Sequence, residues 1–229
     1  MSLKKTQNQH YHFIGIGGIG MGALAALLLD RGCRVTGSDA KDSEMVQTLR
    51  NQGAEVIVGH ARANILQADF VVYSSAIKPD NEEFAQAQDQ GIPILRRAQL
   101  LAQLMEGSTA LTVAGAHGKT TTSSMIATML DFAGLKPTVA VGGIINAQGR
   151  NAVLGEGRYF VAEVDESDGT FLLFYPKYSV ITNIDFEHLD YYKTWDNILQ
   201  AYQQFIENTQ EDGLIIACGD DNKLQFLLK

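Results

Sequence analysis

Short apolar runs alternate with longer stretches of helical pattern along the first hundred residues. Residues 12–16 form an apolar run that ends in glycines, residues 21–29 are rich in Ala and Leu, and residues 34–39 form a second run. This order of strand, helix and strand predicts a βαβ unit with parallel strands. The alternation continues with helices over 43–51, 82–90 and 97–105 and strands over 53–59, 69–75 and 91–95. The pattern predicts a parallel sheet with helices on its faces.

A second cycle of strands and helices begins after Glu106-Gly107-Ser108. A strand over 109–114 leads into a glycine loop and a helix over 120–132. Further strands are predicted over 137–142, 158–163, 178–183 and 213–217, and a further helix over 195–208. We therefore predict an α/β protein with a Rossmann-like parallel-sheet domain over 1–106 and a P-loop α/β domain over 107–229.

Composition narrows the class of partner. The chain has 229 residues with 18 basic and 26 acidic side chains, and its net charge of −8 disfavours binding to a polyanion such as nucleic acid. Cys33 and Cys218 lie far apart, outside the spacing of a disulfide framework or a zinc site. No apolar run approaches the length of a membrane span. We expect a soluble, cytoplasmic protein with neither a nucleic-acid nor a membrane partner.

A glycine-rich loop lies between the first predicted strand and the first predicted helix. Its sequence matches G-x-G-x-x-G, which allows a tight turn and brings a diphosphate close to a helix N-terminus. Asp39 ends the next strand and is placed to accept hydrogen bonds from a ribose or a base. A nucleotide or dinucleotide site and a purely structural turn both fit the loop. Its residues are Gly15, Ile16, Gly17, Gly18, Ile19 and Gly20.

A second loop resembles a Walker phosphate-binding loop with altered spacing, because Val113 stands where the first glycine is expected. Lys119 is placed to reach the β- and γ-phosphates, and the Thr120 hydroxyl to bind Mg²⁺. His117 either contacts phosphate or shapes the turn, and the alternative for Lys119 is a surface lysine after a glycine turn. The loop predicts an ATP site comprising Gly115, Ala116, His117, Gly118, Lys119, Thr120 and Thr121.

Acidic residues and a histidine follow two later strands. Glu163 ends the strand over 158–163, at the edge where parallel strands line a ligand crevice, so we expect it near Thr120 and Mg²⁺. The acidic turn 165–168 either joins the site or solvates a loop and caps a helix. His188 lies among acids beyond a strand end, which favours a metal or phosphate ligand over a structural role. We expect structural or solvent roles for His10, His12 and His60.

Taken together, these segments resemble the Mur ligases of peptidoglycan synthesis. Within that family they are most similar to members that join L-alanine to UDP-N-acetylmuramate. Members that join a recycled murein tripeptide to the same UDP-sugar are the alternative, but their first loop typically reads G-I-C-G-T-F-M-G. The matching segments are 12–21, 37–39, 74–77, 96–98, 115–122, 163–168 and 183–190.

The resemblance implies a reaction and a set of roles. ATP would phosphorylate the muramoyl carboxylate, and the amine of L-alanine would attack the resulting acyl phosphate. The catalytic residues would be Lys119 at the γ-phosphate, Glu163 with Thr120 at one Mg²⁺, and His188 at a second Mg²⁺. The UDP-sugar diphosphate would lie over the first loop. Its binding residues would be Gly15, Ile16, Gly17, Gly18, Ile19 and Gly20 together with Ser38, Asp39 and Ser75.

Family members have three domains, and the third carries part of the amino-acid site. This sequence contains none of that domain, so we expect a truncated piece with an incomplete central domain that binds the UDP-sugar without ligating. Two other classes stay open. A dinucleotide-dependent oxidoreductase would leave the 115–122 loop, Glu163 and His188 unexplained, and a nucleotide sensor would bind at both sites without reacting.

Overall fold

The computed structural model describes residues 8–65, 67–78, 80–145 and 150–229. The chain divides into two structural units. The first contains the residues up to Leu104 together with Asn151–Leu154, and the second contains Met105–Arg150 and Gly155–Lys229. Within the described ranges, no helix is long and apolar enough to cross a membrane.

The first unit is built on a parallel five-stranded sheet, as the alternating pattern predicts. Its strands are β1 (His10–Ile14), β2 (Arg34–Asp39), β3 (Glu55–Val58), β4 (Phe70–Tyr73) and β5 (Ile94–Arg96). Its helices are α1 (Ile19–Asp30), α2 (Glu44–Asn51), α3 (Glu82–Asp89) and α4 (Arg97–Met105). The strand order is β3-β2-β1-β4-β5, so β2 and β3 are added on one side of β1 and β4 and β5 on the other. Ligands of doubly wound sheets bind at such a switch point, beyond the carboxyl ends of the strands.

Local chemistry explains where these elements begin and end. The strand β1 stops at Ile14, two residues before the predicted end, because Gly15 has a left-handed φ of +80°. Ser43 caps α2 by accepting a hydrogen bond from the Val46 amide. Asn81 caps α3 in the same way through the amides of Glu83 and Phe84. Both α2 and α3 therefore begin at a residue whose side chain caps the helix.

The second unit contains five strands of the second sheet, in the order β11-β10-β6-β9-β7. Its strands are β6 (Thr109–Ala114), β7 (Thr138–Ile145), β9 (Tyr159–Glu163), β10 (Tyr178–Ile181) and β11 (Leu214–Ala217), whereas β8 (Arg150–Val153) falls almost wholly in the Asn151–Leu154 segment of the first unit. Its helices are α5 (Lys119–Phe132), α6 (Leu189–Tyr192), α7 (Trp195–Glu207) and α8 (Asn222–Leu227). The sequence pattern does not predict β8, α6 or α8, which are too short to show a period.

The central strands of this sheet bring three loops together. The strand β6 pairs in parallel with β9 on one side and with β10 on the other. The register places Val113 opposite Glu163 and Ala114 opposite Ile181, so the three strands end at nearly the same level. Their core is apolar and comprises Leu111, Val113, Ala127, Val139, Val141, Val161 and Val180. The loops after β6, β9 and β10 therefore meet at one edge of the sheet.

Candidate functional site

The loop after β6 is held in shape by the loop after β10. Gly115 has a φ of +130°, and a Cβ at this position would overlap the Thr182 hydroxyl and lie 2.9 Å from the Asn183 carbonyl oxygen. Asn183 clamps the peptide groups of His117, since its Oδ1 accepts the His117 amide at 2.9 Å and its Nδ2 donates to the His117 carbonyl at 2.9 Å. The Thr182 hydroxyl donates to that same carbonyl at 2.6 Å. The sequence pattern did not single out these two positioning residues, because nothing in the sequence shows that the segments touch.

Lys119 begins α5 directly after this loop. Gly118, the residue before it, has a left-handed φ of +81° and caps the helix without a side-chain hydrogen bond. The Lys119 ammonium donates to the Gly115 carbonyl at 2.6 Å, to the Ala116 carbonyl at 3.3 Å and to Glu166 Oε1 at 2.9 Å. The N-terminus of α5 and this ammonium are the groups at this edge that attract an anion, although the ammonium is paired with Glu166.

Thr120 and Glu163 are adjacent, as the sequence predicts. The Thr120 hydroxyl donates to Glu163 Oε2 at 2.8 Å, and the Gly142 amide donates to that oxygen at 2.9 Å. A hydroxyl and a carboxylate are the hard oxygen donors that Mg²⁺ prefers, so the pair fits this metal. Among the described residues, no three His, Cys, Asp or Glu side chains are grouped as a metal site. A bound Mg²⁺ would therefore need further ligands from phosphate or water.

His188 is held against Glu166. Its backbone has a left-handed φ of +57°, an unusual conformation for a non-glycine residue that the surrounding structure must enforce. Its Nε2 atom lies 3.5 Å from Glu166 Oε1 and 3.9 Å from Glu187 Oε2. The imidazole is one-third exposed, so part of the ring is accessible to a ligand.

The acidic turn 165–168 has divided roles. Asp165 accepts the Ser167 amide at 3.0 Å, and Asp168 accepts the Thr170 amide at 3.1 Å, so both shape the turn. Glu166 instead points inward, where it is nearly fully buried and contacts both Lys119 and His188. From the sequence, Glu166 was one of four equivalent candidates, because only the backbone path decides which side chain of the turn faces the loop.

The first glycine loop offers fewer free amides than its pattern suggests. Gly15 and Ile16 both donate their amides to the Ser38 carbonyl, at 2.8 and 3.0 Å, and Gly17 donates to Asp39 Oδ2 at 2.8 Å. The amides available to an anion are those of the first turn of α1, which have no partner within the helix. These belong to the segment that starts at Ile19 and Gly20. Asp39 thus stabilises the loop itself.

Two serines expected to bind the UDP-sugar differ in exposure, since Ser75 is exposed and Ser38 is buried. Ser75 is exposed on the turn after β4, and the adjoining Ile77 would lie 3.3 Å from a Cβ on Gly15, so this turn borders the loop. The guanidinium of Arg97 lies beside Gly20, where a Cβ would be 3.1 Å from its Nη1 atom. Ser38 is fully buried, and its hydroxyl donates to Glu83 at 2.5 Å. Its contribution to the loop is therefore made by its backbone carbonyl, and its side chain is not exposed to a ligand.

The histidines of the first unit belong to one polar network, in which His10 and His12 are buried and His60 is partly exposed. His10 and His12 share the Thr36 hydroxyl, at 2.9 and 2.8 Å. His12 and His60 lie 3.5 and 3.4 Å from Glu83 Oε2. Burial alone would raise the pKa of Glu83, but hydrogen bonds from His12, Ser38 and Asn64 lower it to about 2.

Comparison with protein families matches both units of the chain. Residues 10–109 match the model described as the Mur ligase family, catalytic domain, and residues 113–229 match the Mur ligase middle domain. Curated relatives are similar over nearly the whole chain. One from Syntrophobacter fumaroxidans, named UDP-N-acetylmuramate--L-alanine ligase, is 51% identical over 96% of this chain and 47% of its own length. One of the same name from Agrobacterium fabrum is 51% identical over 95% of this chain and 46% of its own length.

Two solved ligase structures superpose on nearly the whole chain. UDP-N-acetylmuramate-alanine ligase MurC from Thermotoga maritima superposes with a TM-score of 0.88 at 32% identity, covering 96% of this chain and 51% of that one. UDP-N-acetylmuramate:L-alanyl-gamma-D-glutamyl-meso-diaminopimelate ligase from Neisseria meningitides superposes with a TM-score of 0.89 at 31% identity, covering 96% of this chain and 74% of that one. The chain spans about half the length of the curated relatives it matches.

Proposed function

The chain belongs to the Mur ligase family, and from this premise we propose that it forms part of an ATP-dependent ligase that joins L-alanine to UDP-N-acetylmuramate. The names of its curated relatives at about half identity support L-alanine over a tripeptide as the second substrate. The observation that carries the proposal is the meeting of Lys119, Thr120, Glu163, Glu166 and His188 at the edge of the second sheet. Hydride transfer by a dinucleotide-dependent oxidoreductase does not require these groups.

The second unit would bind ATP. The Lys119 ammonium would contact the terminal phosphates, and the free amides at the start of α5 would bind the phosphate chain. Thr120 and Glu163 would hold Mg²⁺, which when bound neutralises the charge on the phosphates. His188 would present the accessible part of its imidazole to a ligand on the same edge. The expectation of a second Mg²⁺ at His188 rests on the family resemblance alone. Donor chemistry does not support it, because imidazole nitrogen suits this metal less well than oxygen does.

The first unit would bind the UDP-sugar. The diphosphate would lie at the start of α1, where Ile19, Gly20 and their neighbours offer free amides, and the Arg97 guanidinium would add positive charge beside them. Ser75, exposed on the bordering turn, would donate a hydroxyl hydrogen bond. Asp39 and the buried Ser38 would keep the loop in shape.

In the proposed reaction, the muramoyl carboxylate attacks the γ-phosphorus of ATP and ADP leaves. The amine of L-alanine then attacks the acyl phosphate, an amide forms and inorganic phosphate is released. Lys119 would stabilise negative charge that develops on the transferring phosphoryl group. A cytoplasmic location, without nucleic-acid or membrane partners, goes with this proposal.

Thermal shift with separate ligands tests the proposed function. We expect UDP-N-acetylmuramate to raise the melting temperature, ATP with Mg²⁺ to raise it as well, and NAD to leave it unchanged, because a ligand stabilises only the folded state that binds it. The midpoint is measured by circular dichroism at several concentrations of each ligand. Stabilisation by NAD alone would refute the ligase assignment and favour the oxidoreductase.

A further inference from the structure

The Glu166 carboxylate is a buried anion that makes incomplete use of its hydrogen-bonding capacity. Its side chain is 4% exposed, and its Oε1 atom lies 2.9 Å from Lys119 Nζ and 3.5 Å from His188 Nε2. Its Oε2 atom is buried without a hydrogen-bond partner among the residues that the structure describes. Burying a carboxylate with one oxygen unpaired costs free energy, so stability alone gives no reason for a glutamate here.

Among the three partners of the Lys119 ammonium, Glu166 is the one that a phosphate can replace. An ammonium has three donors, and Lys119 directs them to the carbonyls of Gly115 and Ala116 and to Glu166. The two carbonyls belong to the loop that Asn183 clamps, so they stay close to the ammonium. A phosphate oxygen that approaches Lys119 must therefore replace Glu166, which is an anion like the phosphate itself.

We propose that Glu166 is a positioning residue that keeps the Lys119 ammonium turned into the loop before nucleotide binds and releases it to the terminal phosphates on binding. This inference rests on the proposed function, because it assumes that the second unit binds ATP. The His188 Nε2 atom, 3.5 Å from Oε1, is a second neighbour for the released carboxylate.

The proposal predicts the sign of a mutational effect. Nucleotide must separate a charge-assisted Lys119–Glu166 pair and approach a like-charged carboxylate, and Glu166→Gln removes both costs. We expect this variant to bind ATP without Mg²⁺ roughly threefold to tenfold more tightly than the wild type, since such a change corresponds to the difference between a charged and a neutral hydrogen bond. A residue that only supports the fold would have the opposite effect, because a loosened loop binds phosphate less well.

Isothermal titration calorimetry with ATP in EDTA measures this effect on the full chain. Glu187→Gln is the matched control, because it removes the same charge from a half-exposed carboxylate 3.9 Å from His188. We expect it to change affinity by less than about twofold. If Glu166→Gln does not fold, as judged by circular dichroism, Glu166→Ala carries the same expectation.

Two results would overturn the inference while leaving the ATP site intact. The first is that the wild type binds ATP while the Glu166 variants bind it with the same or lower affinity. The second is that Glu187→Gln raises the affinity for ATP as much as Glu166→Gln does. A wild-type chain that binds no ATP would instead refute the proposed function of the second unit, and the inference would fail with it.

Discussion

At the scale of single residues, Gly115 is confined by two independent restraints. Its φ of +130° is unfavourable for any residue with a Cβ, and a Cβ here would also overlap Thr182 and crowd the backbone of Asn183. The loop after β6 and the loop after β10 are therefore in contact only because this position has no side chain. A substitution must open the loop or displace the 182–183 segment.

We predict that Gly115→Ala weakens binding of ATP with Mg²⁺ by at least about tenfold, because the displaced loop no longer aims its amides and Lys119 at the phosphates. Calorimetric titration gives the affinity. Gly134→Ala is the control, since Gly134 also has a positive φ, of +75°, but no atom within 4 Å of a Cβ. The loop account would be wrong if both variants bound ATP as the wild type does.

Residue types alone predicted part of the site. Lys119, Thr120 and Glu163 follow from their positions after strands, because strand ends meet at one edge of a parallel sheet. Glu166 and Asn183 could not be selected in the same way. Their importance depends on which way a turn carries a side chain, and a single sequence does not contain that information.

At the scale of elements, apolar periodicity predicted the long helices and most of the strands, since each buries one face or lies wholly in the core. Helices of one turn such as α6 have no period to detect. The order β3-β2-β1-β4-β5 was also beyond the sequence pattern, because many strand orders satisfy the same alternation of elements.

The network around Glu83 links α3 to β1 and β2, and we expect it to make the stability of the first unit sensitive to acid. The native pKa of Glu83, about 2, lies below that of an unfolded glutamate, so its stabilising contribution is present above about pH 4.5 and is lost as the pH falls towards 2. We predict that between pH 6 and pH 3 the wild type loses roughly 2 kcal/mol more free energy of unfolding than Glu83→Gln.

Urea unfolding at the two pH values, followed by circular dichroism, checks this prediction. Glu82→Gln serves as the control, because Glu82 is the preceding residue on the same first turn of α3 but is exposed. We expect it to retain the wild-type dependence on pH. An equal loss of stability in the wild type and in Glu83→Gln would show that the buried carboxylate is not the source of the acid sensitivity.

At the scale of the whole molecule, the chain carries two phosphate-type loops on two separate sheets. Each begins a helix directly after a central strand, which is the arrangement that binds phosphate in α/β proteins. Their neighbourhoods differ. The first loop has Arg97 and an exposed serine turn beside it, whereas the second has a lysine, a carboxylate with a hydroxyl, and His188. The central claim is that the first loop binds the UDP-sugar and the second binds ATP.

Calorimetric titration of Lys119→Ala with each ligand tests this division most directly. We predict that the variant binds ATP with Mg²⁺ roughly tenfold to a hundredfold more weakly than the wild type, because a charge-assisted contact is lost, and binds UDP-N-acetylmuramate within about twofold of the wild type. Lys136→Ala, which removes an exposed lysine of the same unit, should leave both affinities unchanged. Unaltered ATP affinity in Lys119→Ala, or an equal loss for both ligands, would contradict the assignment of the two loops.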